Sequence, residues 1–150
     1  MKMNNQMMEL TPAAFPATSF ENDYVADLTK PSIAFSSMAA NTAEEKKLLF
    51  NAMNSPDYRI KDCVNKRIIV RDVYCEIVNT ISENGLTSSV PRTVLIDIDG
   101  KSYQAVSMGI YNALRKLIQV FGTPTWENGL EVEVKLVSKG NNSILTLNIV

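Results

Sequence analysis

Between residues 94 and 104 the sequence reads VLIDIDGKSYQ, two β-forming runs joined at Asp99-Gly100, and no other stretch limits the fold as tightly. Such a dipeptide is a strong signal for a two-residue hairpin turn, because both turn positions favour positive φ. RTVLIDI and KSYQAVS are therefore expected as adjacent antiparallel strands. Directly after them, Ile110, Ala113, Leu114, Leu117, Ile118 and Phe121 recur at helical spacing, and Gly122 with Pro124 ends the helix. LEVEVKL then alternates, with Val132, Val134 and Leu136 on one face and Glu131, Glu133 and Lys135 on the other. The turn SKGNN leads into a last strand, SILTLNIV.

Upstream, KRIIVRDVYCEIVNTI (66–81) is rich in β-branched residues and too long for a flat strand, so a bend or bulge is expected near Arg71-Asp72. SENGLTSSVP (82–91) reads as a loop. Strand, strand, strand, helix, strand, strand is the order of an OB-fold. Residues 58–150 are thus expected to form a mainly β, five-stranded OB-fold-like barrel, with its helix between strands three and four plugging one end. Residues 42–57 carry a short helix, opened by Thr42 and Glu45 at capping-box spacing and stopped at Asn54-Ser55-Pro56. Its apolar side, Leu48, Leu49, Ala52 and Met53, is expected to cover an opening in the barrel. Residues 1–41, with Pro12, Pro16 and Pro31 among small polar residues, read as a poorly ordered arm whose Phe15, Phe20, Tyr24 and Phe35 can dock elsewhere.

Composition narrows the chemistry. The 150 residues, 45% of them apolar, suffice for one core. No apolar run approaches the ~20 residues of a membrane span, so a soluble, cytoplasmic chain is expected. The absence of histidine, with Cys63 and Cys75 twelve positions apart, excludes the usual zinc sites and any imidazole base. No metal or cofactor is expected. From Arg59 onward there are 11 Lys and Arg against 9 Asp and Glu, net +2; residues 1–58 hold 4 against 7, net −3. This balance permits nucleic-acid binding without announcing it.

Asp97 and Asp99 raise a catalytic alternative. An apolar run entering Asp-x-Asp-Gly resembles the nucleophile motif of haloacid-dehalogenase-type phosphatases. That motif wants threonine or valine two residues after the second aspartate, where this sequence has Lys101, and no late acidic pair follows to hold magnesium. The two aspartates read instead as an exposed strand position and a turn former. No enzymatic activity is expected.

OB-folds commonly bind single-stranded nucleic acid, with cations for the phosphates and flat rings for the bases. Lys66, Arg67, Arg71, Arg92, Lys101, Lys135 and Lys139 lie on the expected strands or their turns, and Tyr74, Tyr103 and Trp126 are the rings nearest them. Each cation alone reads equally well as a solvated surface charge; several along one groove would give salt-dependent affinity. Tyr103 turns on register. A two-residue turn at Asp99-Gly100 sets it opposite Ile96 in the core; a three-residue Asp99-Gly100-Lys101 loop sets it opposite Asp97 on the polar face. Tyr74 sits on a strand apolar on both faces, and Trp126 suits either a base or the barrel end.

The blocks KRIIVRDVYCEIV, PRTVLIDIDGKSYQAVSMGIYNALRKLIQVFGTPTW and LEVEVKLVSKGNNSILTLNIV resemble the single-stranded DNA-binding proteins of small tailed bacteriophages that replicate by protein priming. The resemblance covers roughly residues 58–150. It implies an OB-fold protein that coats displaced single strands in the cytoplasm of an infected bacterium. Bacterial single-stranded DNA-binding proteins end in an acidic tail that recruits partners, whereas this sequence ends in LTLNIV; replication proteins or neighbouring subunits would therefore be met through the N-terminal arm. The competing reading is a protein-protein interaction or structural accessory module that uses an OB-like barrel without nucleic acid. Oligomeric state has no signature in the sequence.

Overall fold

The computed structural model describes residues 34–150. In chain order it comprises β1 (Ala34–Ser36), α1 (Ala43–Asn54), β2 (Tyr58–Arg59), a 3-10 turn (Ile60–Cys63), β3 (Arg67–Ile81), β4 (Thr87–Asp97), β5 (Ser102–Val106), α2 (Met108–Phe121), β6 (Leu130–Lys139) and β7 (Asn142–Ile149). The order expected from the sequence, three strands, a helix and two strands, is β3-β4-β5-α2-β6-β7.

Seven strands, not five, share one curled sheet, ordered β2-β5-β4-β3-β6-β7 with β1 also on β3. The strands added are the two short ones. β2 runs parallel to β5, with Tyr58 beside Tyr103, and β1 runs antiparallel to β3, with Phe35 beside Cys75. With those additions, α2 lies between the fifth and sixth strands of the chain. The sequence places residues 34–41 in the arm, but β1 pairs with β3 through Ala34, Phe35 and Ser36. The rest of the expected arm, residues 1–33, lies outside the described residues.

β3 explains the curl. It pairs with β6 through Arg67 to Val70 and with β4 from Val70 to Ile81, and the register shifts between Val70 and Asp72. This is the bulge expected near Arg71-Asp72. An extra residue there bends the strand and lets Val70 and Val73 both face the concave side. Over that concave face α2 lays Ile110, Ala113, Leu114 and Leu117 against Ile68, Val73, Leu95, Val132, Val134 and Leu147. Ser107 caps the helix by accepting from the Ile110 amide at 3.2 Å. Beyond Val134 the β6–β7 hairpin leaves the barrel, so Leu136, assigned inward by the alternation, is exposed.

α1 opens with the expected capping box. Thr42 Oγ1 accepts from the Glu45 amide at 3.1 Å, and Glu45 Oε1 accepts from the Thr42 amide at 3.0 Å. The helix does not cover a barrel opening. It crosses the outer face of the sheet, where Ala52, Leu49 and Met53 pack on Tyr74, Val94 and Ile96. Its end delivers Asp57 to the edge of β5, where the Asp57 carboxylate accepts from the Ser102 amide at 3.0 Å. Among the described residues no helix is long and apolar enough to cross a membrane.

Both cysteines are free, Cys63 buried and Cys75 half-buried. Burial raises the Cys63 thiol and pushes Cys75 up to about 11. A thiol with that value is ionised to roughly one part in a thousand at pH 8, and the thiolate is the reactive form. Native protein should therefore react with a thiol reagent such as Ellman's only as fast as it opens. Immediate stoichiometric labelling of Cys75 would contradict the packing of β3 against β1.

Candidate nucleic-acid interface

Asp97 organises the central hairpin. Its Oδ1 accepts from the amides of Asp99 and Lys101, both at 2.9 Å, and its Oδ2 accepts from the Tyr103 hydroxyl at 2.9 Å. These bonds shift the turn. Asp97 pairs with Lys101 through an amide-to-carbonyl bond of 2.8 Å, leaving Ile98, Asp99 and Gly100 as the loop. Gly100 alone of the three has positive φ, 84°, as a three-residue loop closed by a glycine bulge requires. The turn former is thus Asp97, and Asp99 is the exposed position.

Neither register considered from the sequence occurs. Tyr103 opposes Leu95, and Ser102 opposes Ile96. The Tyr103 ring packs at the margin of the main core while its hydroxyl reaches Asp97. Burial and that carboxylate both hold the hydroxyl well above the usual tyrosine range, so it stays a donor. Tyr58 stacks on it with ring centroids 5.1 Å apart and planes 29° from parallel. Tyr58 is 48% exposed, so the pair presents one open ring backed by a fixed one.

Beside this pair lies a cleft of about 320 Å³ lined by Tyr58, Arg59, Asp62, Lys66 and Gln104, among others. Lys66 leads from the cleft onto the outer face of β3 and β6. There Arg67 stands opposite Glu133 and pairs with Glu131 at 3.6 Å, while Lys135 Nζ reaches Glu133 at 3.3 Å and Asn65 Oδ1 at 3.3 Å. The fold therefore sets Lys66 from the expected set beside Tyr58, which the sequence reading missed, while Arg67 and Lys135 pair with the β6 glutamates. The only signal of Tyr58 was an aromatic next to an arginine in a two-residue strand, too short to show a period. Lys101 is exposed at the end of the central hairpin.

Other expected site residues lie elsewhere. Tyr74 is 2% exposed beneath α1, so it offers no ring to a base. Its hydroxyl donates to Glu76 Oε1 at 2.6 Å, and burial with that bond holds it well above the usual tyrosine range. Arg92 belongs to the same network, with Nη1 on Glu76 Oε2 at 3.2 Å and Nε on Gln104 Oε1 at 3.0 Å. Only 12% of its side chain is exposed, which makes it a clamp across β3, β4 and β5 and not a free cation. Arg71 and Trp126 meet at the bulge, where the Trp126 amide donates to the Arg71 carbonyl at 2.9 Å. The indole packs against the core and donates to the Gly122 carbonyl at 3.1 Å. Lys139 stands apart, in a groove between α2 and β7.

An open aromatic ring next to several exposed cations suits unpaired bases and their phosphates. No curated protein and no solved structure matches the chain. A family model described as Phage Single-stranded DNA-binding protein matches residues 29–150, which take in every element described above. The chain belongs to this family of phage single-stranded DNA-binding proteins.

Proposed function

We propose that the protein coats single-stranded DNA displaced during phage replication, in the cytoplasm of the infected cell and with little sequence preference. The observation that carries this reading is the Tyr58 ring, open on one side, held by Tyr103 on the other and flanked in its cleft by Arg59 and Lys66. A base stacked on such a ring contributes about 1–3 kcal/mol whatever its identity. Phosphates would replace Glu131 and Glu133 as partners of Arg67 and Lys135. Exposed ion pairs of this kind are weak, so the exchange costs little. The interaction-module reading lacks an equivalent, since family membership points to DNA.

Tyr58→Ala should weaken binding to a short oligo-dT by about tenfold while leaving thermal stability close to that of the wild type. Lys66→Ala combined with Arg67→Ala should make the slope of log affinity against log salt shallower by about one per cation removed. Fluorescence titrations at several salt concentrations read both effects. Unchanged affinity in the first variant, or an unchanged slope in the second, would place the strand elsewhere on the molecule.

A further inference from the structure

We propose that the tip of the β3–β4 ribbon of one molecule seats in the groove between α2 and β7 of a second copy, joining molecules head to tail along the DNA. Among the described residues the sheet offers no further neighbours past Glu76 on β3 and before Arg92 on β4, and residues 77–91 pair there only with each other. An isolated two-stranded ribbon is marginal in water. This one nevertheless ends in a well-formed turn. The Ser82 amide donates to the Leu86 carbonyl at 2.8 Å, the Gly85 amide to the Ser82 carbonyl at 2.9 Å, and the Leu86 amide to Ser82 Oγ at 3.2 Å. On either side of that turn Ile81 is 74% and Leu86 69% exposed. A fixed turn that displays two aliphatic side chains is pre-organised for contact with an apolar surface.

Charge says which surface. Between residues 77 and 91 the single charged residue is Glu83, at the tip. A ribbon with no cation is unsuited to gripping phosphates, although loops in this position commonly flank the strand in such barrels. The α2–β7 groove is complementary: about 760 Å³, walled by Val120, Phe121, Val137 and Ile144, with Lys116 and Lys139 and no acidic side chain in its lining. Val120, Val137 and Ile144 give Ile81 and Leu86 apolar surface to bury against, and Lys116 and Lys139 face the charge of Glu83. Tip and groove are different surfaces of the molecule, so their contact is heterologous and propagates as an open chain instead of closing a pair.

This inference rests on the coat reading, and the experiment separates the two. Full-length protein is titrated with an oligo-dT long enough for one molecule and with long poly-dT, for the wild type, Leu86→Asp, Glu83→Lys, Lys116→Glu and the Glu83→Lys/Lys116→Glu double variant. Short-oligonucleotide affinity reads DNA binding; the extra affinity per molecule on the long strand reads the contact between neighbours. Each single variant should lower that cooperative factor by about tenfold, with short-strand affinity close to wild type, and the double variant should recover most of it. Singles that leave cooperativity intact, or a double variant as poor as its parents, would overturn the pairing of tip with groove. If Lys116→Glu weakened short-strand binding in equal measure, the groove would hold DNA and not a neighbour. A wild type that bound the short strand without cooperativity would overturn only this inference; one that bound neither would overturn the coat reading with it.

Discussion

Arg92→Ala should lower the free energy of unfolding by about 3 kcal/mol and leave the affinity of the folded protein for single-stranded DNA close to that of the wild type. Among the described residues the guanidinium is the one cation paired with the Glu76 carboxylate, at 3.2 Å, and the same side chain holds Gln104 on the next strand. Removing it leaves a carboxylate, only 23% exposed, with the Tyr74 hydroxyl as its remaining side-chain partner. That residual exposure keeps the expected cost at the lower end for a broken buried pair. Urea denaturation gives the stability, and titration under native conditions gives the affinity. Arg92→Met together with Glu76→Gln should restore much of the loss, because no charge is then stranded. A fall in affinity beyond the unfolded fraction would mean that Arg92 reaches a phosphate after all, and the clamp assignment would fail.

Gly109→Ala should cost about as much by a different route. A Cβ at this position would lie 2.0 Å from the Leu145 carbonyl oxygen and 2.9 Å from Ile144 Cγ2. The first neighbour is backbone in β7 and has no rotamer to escape into, so α2 must lift away from the strand. Its buried residues Ile110 and Ala113, within the next turn, would be pulled from the core. Overpacking of this severity costs about 3 kcal/mol, which corresponds to a fall in Tm of roughly 10 °C. A Tm within a degree or two of the wild type would show that the helix start and β7 are farther apart than described.

The sequence carried the parts of the fold that depend on local pattern. α2 was legible because its apolar stripe repeats through four turns, and the Thr42–Glu45 box because its two reciprocal bonds are set by spacing alone. The hairpin at 94–106 was legible as a hairpin but not in register. Asp97 draws two amides to one carboxylate oxygen, and that gain outweighs the preference of Asp-Gly for a two-residue turn. The shift decided the site. It turned Tyr103 into a backing ring. Arg92 faces Glu76 through the separate β3–β4 pairing, 16 positions apart in sequence, which no local pattern encodes. Tyr58 escaped notice for a related reason, since its meaning comes wholly from Tyr103 across a two-residue strand. The position of α1 was hidden too, because an amphipathic helix shows that it covers something without showing what.

One edge of β3 is occupied continuously up to Glu76 by unrelated pieces of chain. β6 takes Arg67 to Val70, the Trp126 amide takes the Arg71 carbonyl, Ser37 takes both the amide and the carbonyl of Val73, and β1 takes Tyr74 to Glu76. Beyond Glu76 that edge is bare among the described residues. Solvent exchange of amide hydrogens should divide along the same line. Protons inside the capped stretch are released only when the whole domain opens, whereas those of the ribbon exchange through its own local fraying. A single strand should thus show two regimes of exchange, slow where its edge is paired and faster toward the turn.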